Sequence, residues 1–159
     1  MRIPWANVDA DRDVVTRQIG RQPRAFRRVA RRCPFGKPAV TEQAPYGDDG
    51  KPFPTTFWLT CPHLVAAVSR LEAAGGVARW TDAASADPEL AASLRQAHDE
   101  QRALRPELDS GIGGTTGANG GLKCLHAHVA FALARPGYRL GERIVEELTP
   151  LWPDRCCTR

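Results

Sequence analysis

Thr55-Thr-Phe-Trp-Leu-Thr-Cys61 runs directly into Pro62-His-Leu-Val-Ala-Ala-Val-Ser-Arg-Leu-Glu72, and Gly75-Gly76 follows. The first run is apolar, aromatic and rich in threonine, the composition of a strand. The second opens on a proline, which suits a first helical turn because the N–H that proline lacks has no partner there. Leu64, Val65, Val68 and Leu71 recur at helical spacing until the glycine pair ends the pattern. A strand feeding straight into an amphipathic helix sets the class as α+β, with 55–61 expected as the central strand.

Towards the N-terminus, residues 25–33 read as a strand in which Val29, Arg31 and Cys33 share one face. Pro34-Phe-Gly-Lys-Pro38 forces a turn, and Ala39 to Ala44 returns as a second strand. Before them, Asn7 or Asp9 caps a helix with Ala10, Val14, Val15 and Ile19 on one side and Gly20 at its end. Towards the C-terminus, Val77, Trp80 and Ala84 suit a short helix. Asp87-Pro88 opens a longer one through Leu90, Leu94, Ala97, Gln101 and Leu104, on which His98 reads as a structural histidine. Leu122, Leu125, Val129, Ala132 and Leu133 predict a helix over 122–134, and Leu140, Ile144, Val145 and Leu148 predict a last one. The expected architecture is a single α+β domain over 1–159, mainly helical with a small antiparallel sheet, its core at about 8–149 and residues 150–159 a flexible tail.

A chain of 159 residues can bury a sizeable core without staples. It has no apolar run near the roughly 18 residues of a membrane helix and no secretory leader pattern. These features predict a cytoplasmic protein without membrane contact, whose five cysteines are thiols or metal ligands rather than disulfides. Charge is unevenly spread. Residues 1–37 hold ten Arg or Lys against three Asp, a net +7, and the rest hold twelve against fifteen, a net −3. Arg24, Arg27, Arg28, Arg31 and Arg32, with Lys123 further on, form a candidate surface for a polyanion such as nucleic acid or polyphosphate. The alternative is a solvated strand face paired with acids.

The chemistry-bearing stretch is Gly111-Ile-Gly-Gly-Thr-Thr-Gly-Ala-Asn-Gly-Gly-Leu-Lys-Cys-Leu-His-Ala-His128. Glycine backbone that permits close approach gives way to Lys123, Cys124, His126 and His128 at a helix start. Neither a P-loop nor a G-x-G-x-x-G order is present, which disfavours nucleotide binding. At about 100° per residue, Cys124 and His128 fall on one flank, with His126 nearer the core stripe. Cys33 ends a strand, Cys61 precedes a helix and Cys124 begins one. Their convergence with His126 or His128 would suit tetrahedral zinc. Helix N-termini would also lower the thiol pKa of Cys61 and Cys124. A second reading makes Cys124 the nucleophile of a hydrolase or transferase, with His126 or His128 as base and glycine-loop N–H groups holding an oxyanion. A third is a non-catalytic interaction module.

Ala30-Arg-Arg-Cys-Pro-Phe-Gly36, Asp49-Gly-Lys-Pro-Phe-Pro-Thr55, Phe57-Trp-Leu-Thr-Cys-Pro62, Ser69-Arg-Leu-Glu72 and Lys123-Cys-Leu-His-Ala-His128 occur in this order. Together they resemble a bacterial family known only as domain of unknown function 501, over roughly Val14 to Leu148. The resemblance implies no activity. The segment Gly137-Tyr-Arg-Leu-Gly141 stands where members of that family carry an Asn-Pro-Val-Gly-like sequence. The leading expectation is a metal-thiolate domain with a basic polyanion-binding surface.

Overall fold

Helix α1 (Val8–Ile19) is bounded as its sequence dictates. Asn7 Oδ1 accepts the Ala10 N–H at 3.2 Å, satisfying one of the unpaired first-turn donors. Gly20 closes the helix at φ 75°, a conformation that costs a residue with a Cβ and glycine nothing, and donates its N–H to Thr16 O at 2.9 Å. The computed structural model describes residues 7–108 and 121–158. Within them, α1 is followed by β1 (Phe26–Arg32), β2 (Pro38–Gln43) and β3 (Phe57–Leu59), and then by α2 (Pro62–Ala73), α3 (Gly76–Ala86), α4 (Pro88–Ala103), α5 (Leu125–Ala134) and α6 (Arg139–Glu146). The expected α+β class, mainly helical with a small antiparallel sheet, is what forms.

The sheet runs in the order β1-β2-β3, antiparallel throughout. Its centre is therefore β2, and the run 55–61 lies at an edge with only three residues paired, contrary to the expectation for it. Burial by a helix and burial between two strands leave the same apolar signature in a sequence. Here Phe57 and Leu59 are buried because α5 packs on β3. Register slips in the β1–β2 pairing between Phe26 and Arg28 and again between Val29 and Arg31 break the alternation of side chains along β1. Val29 is half-buried and Arg31 exposed, and the slip between them breaks the single face expected of them.

Helix α5 is the axis of the core. It is apolar on all sides, as only an enclosed helix is, and Leu125, Ala127, His128, Val129, Ala130, Phe131, Ala132 and Leu133 are all buried. It packs against α6, β3 and α2. The Phe131 ring lies 5.8 Å from that of Phe57 and 5.3 Å, edge to face, from that of Tyr138. Helix α6 approaches α5 at Gly141, where a Cβ would come within 2.8 Å of the Ala132 Cβ and 2.6 Å of Tyr138 Cδ2. The glycine is there because the two helices leave no room for a side chain.

The end of the chain, expected to be a flexible tail because it is too short to fold alone, is seated on the rest of the fold. Leu151 and Trp152 pack against the core, and Gln18 Nε2 donates to Thr158 Oγ1 at 3.0 Å and to Pro38 O at 2.8 Å. Among the described residues, no helix is long and apolar enough to cross a membrane.

Candidate functional site

The C-terminal end of α2 meets the N-terminal end of α5. An α-helix leaves its first N–H groups without partners and favours negative charge beside them. Helix α5 has no capping side chain of its own, because Cys124 holds the capping position without a side-chain bond to the first-turn N–H groups. Glu72, in the last turn of α2, supplies one from outside. Its Oε1 accepts the Leu125 N–H at 2.7 Å and lies 3.1 Å from His126 Nδ1. The other ring nitrogen, Nε2, lies 3.3 Å from Val65 O and 3.3 Å from Ser69 Oγ. The Cys124 sulfur, a His126 ring nitrogen and a Glu72 carboxylate oxygen all fall within 4.8 Å of one another.

This geometry decides protonation. Both ring nitrogens of His126 face acceptors, a carboxylate on one side and a backbone carbonyl on the other, so the doubly protonated ring is fully satisfied. The neighbouring Cys124 thiol, aided by the charge of Glu72, raises the His126 pKa above its ordinary value. The His126 ring beside it lowers the Cys124 thiol pKa in turn, against the opposing effect of burial. The pair is thus biased towards thiolate and imidazolium, with Cys124 exposed to solvent.

Cationic groups lie behind it. Lys123 feels both the Cys124 sulfur and the Arg105 guanidinium, and burial pulls its own pKa down. Its Nζ reaches Pro54 O at 3.5 Å. Arg105, just past α4, is 3% exposed and donates Nη2–H to Ala44 O at 2.6 Å. Its Nε and Nη1 have no acceptor among the described residues, and burial brings its pKa down to about 10.

The other expected site residues go elsewhere. Cys33 closes the β1–β2 turn, donating its N–H to Lys37 O at 2.9 Å, and packs half-buried against the core. Cys61 caps the opposite end of α2 from Glu72, about 16 Å away at 1.5 Å per residue. The three sulfurs therefore do not converge: the described residues that bring metal-ligating atoms together are Glu72, Cys124 and His126. Nor is the Cys61 thiol acidified by its helix. Burial dominates and pushes it up to about 11.

His128 is also corrected. It is completely buried, with Nδ1 2.7 Å from the Tyr138 hydroxyl, and is not among the described residues whose ligating atoms gather at Cys124. The wheel argument failed because Cys124 lies outside the helix, at φ −50° and ψ 145°, so the 100° step does not apply between it and His126. The glycine loop, with its expected oxyanion role, falls largely on residues 109–120, outside the described residues.

The basic segment is partly neutralised. Arg24 pairs with Asp49 at 2.7 Å, Arg32 grips both oxygens of Asp11 at 2.7 and 3.0 Å, and Arg28 pairs across the strands with Glu42. Arg27 and Arg31 stay exposed on β1, an edge strand, where charge discourages pairing with another chain.

Sequence reasoning missed Glu72, Ser69 and Arg105. Ser69 and Glu72 stand three apart on one helix, hence on one face, and a search for acids opposite the Cys124 junction would have started there. Residues 29–110 match the family described as Protein of unknown function (DUF501). No curated protein and no solved structure matches the chain.

Proposed function

The chain belongs to the DUF501 family, whose function is unknown, and we propose that it acts through Cys124 as a nucleophilic thiolate in a hydrolase or transferase. The observation that carries this is an exposed thiol beside a histidine whose two ring nitrogens both face acceptors. In this reading the Cys124 sulfur attacks an electrophilic centre and forms a covalent intermediate. His126, held by Glu72, gives its proton to the departing group. It then takes one from the water or acceptor that releases the intermediate. Lys123 and, behind it, Arg105 make the approach electropositive, so the substrate carries an anionic group. This reading does not draw on the basic β1 edge, where acids pair with Arg24, Arg28 and Arg32 while Arg27 and Arg31 stay exposed.

The test uses the other exposed cysteine, Cys157, as an internal comparator. In limiting iodoacetamide at pH 7, mapped by mass spectrometry, Cys124 is expected to be carboxamidomethylated ahead of Cys157. With iodoacetate the preference for Cys124 should widen, because that reagent is anionic. Equal labelling of the two cysteines by iodoacetamide would remove the activated thiol. A preference that narrows with iodoacetate would remove the anionic substrate.

A second reading is a divalent metal centre on the same three atoms, favoured by their spread of less than 4.8 Å and by their sulfur, nitrogen and oxygen chemistry. An ion such as zinc would take the place of the proton that His126 shares with Glu72. The ring's Nε2–H would go on donating to Val65 O, as ligating histidines commonly do. Three protein ligands leave an open position. Because metal and proton compete for the ring, affinity should rise with pH. Cobalt titrated at pH 6 and pH 8 is expected to give a thiolate charge-transfer band that is stronger at pH 8 and lost in Cys124→Ser. If no such band appears at either pH, the metal reading fails.

A further inference from the structure

Two thiols far from Cys124 face each other. Cys61 is buried where β3 ends and α2 begins, and its sulfur lies 3.5 Å from that of Cys157, which is exposed on the C-terminal tail. A disulfide needs about 2.05 Å, so the sulfurs must close by roughly 1.5 Å. Each side of the pair is positioned. Cys61 is fixed by the strand and helix it joins, and the tail is held by Trp152 against the core, by Gln18 on Thr158 and by Pro150 O, 3.2 Å from His63 Nε2. The neighbouring Cys156 directs its sulfur to Thr158 O at 3.4 Å instead. We propose that Cys61 and Cys157 form a redox modification site, in which a peroxide joins them and fastens the tail to the β3–α2 junction.

The order of events follows from exposure. Cys157 meets the oxidant first, since burial raises the Cys61 pKa to about 11 and leaves little thiolate there. The Cys157 thiolate attacks one peroxide oxygen, the O–O bond breaks, and hydroxide leaves a sulfenic acid on Cys157. The Cys61 sulfur then attacks the Cys157 sulfur. The S–O bond breaks, and the hydroxyl departs as water with the Cys61 proton. The dithiol loses two electrons, and hydrogen peroxide, gaining them, ends as two waters. The closed loop links positions 96 apart in sequence, and long loops of this kind constrain the unfolded chain most.

The experiment is run on the full chain carrying Cys124→Ser, so that the outcome is independent of whether Cys124 is reactive. After stoichiometric hydrogen peroxide, the expected product is about 2 Da lighter, contains a peptide linking Cys61 to Cys157, and melts several degrees higher until dithiothreitol reverses the change. Cys156→Ser should leave the link intact, and Cys157→Ser, an exposed and structurally mild change, should abolish both the link and the shift in Tm. Cys157 accumulating as sulfinic acid without a partner, or Cys61 linking to Cys156 instead, would overturn the proposal.

Discussion

Replacing His126 with glutamine should slow alkylation of Cys124 at pH 7 by roughly tenfold, with the whole pH–rate curve moving to higher pH. Only the thiolate reacts, so the midpoint of that curve reports the Cys124 pKa. In the native chain the neighbouring His126 ring is the largest influence and lowers it. Burial survives the substitution as the largest remaining influence and raises the thiol pKa, while the weaker backbone hydrogen bond at Ala127 goes on lowering it. The downward pull of the imidazole should therefore be lost and the midpoint should move up. Glutamine can still bond the backbone of Val65 or the carboxylate of Glu72, so the fold should survive. Stopped-flow alkylation between pH 5 and 10, with circular dichroism to confirm folding, makes the measurement. A midpoint that does not move would mean that helix α5, rather than the imidazole, governs the thiol.

Phe131→Ala is expected to remove about 3–5 kcal/mol of stability. The ring is completely buried and touches Phe57 of β3 and Tyr138 at the start of α6. It thereby joins the sheet to the last helix through α5. Its loss would leave a cavity walled by elements that cannot all move inward, since Gly141 already brings α6 as close to α5 as the backbone allows. A domain of this size has about 5–15 kcal/mol in total, so the variant should unfold at a much lower urea concentration. Ala127→Gly, on the same helix, serves as the contrast, with a cost of about 1 kcal/mol from helix propensity. If urea unfolding places the two variants at the same midpoint, α5 is not the axis of the core.

Much of the fold was legible because its signals are local. Asn7 and Gly20 bound α1, Pro62 begins α2, Asp87 caps α4 through the Glu89 N–H at 2.9 Å, and the 34–38 turn joins β1 to β2. Each of these depends on residues within a few positions of one another, and so each is written in the order of the chain. The junction that carries the candidate site was legible in the same way, from a thiol and histidines at a helix start. The position of the run 55–61 within the sheet was not, because an apolar segment records that it is covered and not by what.

The partners across the site belong to the tertiary structure alone. Whether Cys124 meets His126 or His128 turned on the helix beginning one residue after the cysteine, which a periodic projection does not see. Glu72 enters only because α2 and α5 bring their ends together across 53 residues of chain. Cys61, which sequence reasoning grouped with Cys124, is carried to the far end of α2 and set against Cys157 instead. Residue type and spacing determine which elements form and where reactive groups gather. Which atom faces which across the interior follows from packing, where a shift of a single helical residue turns a side chain by about 100° and exchanges one neighbour for another.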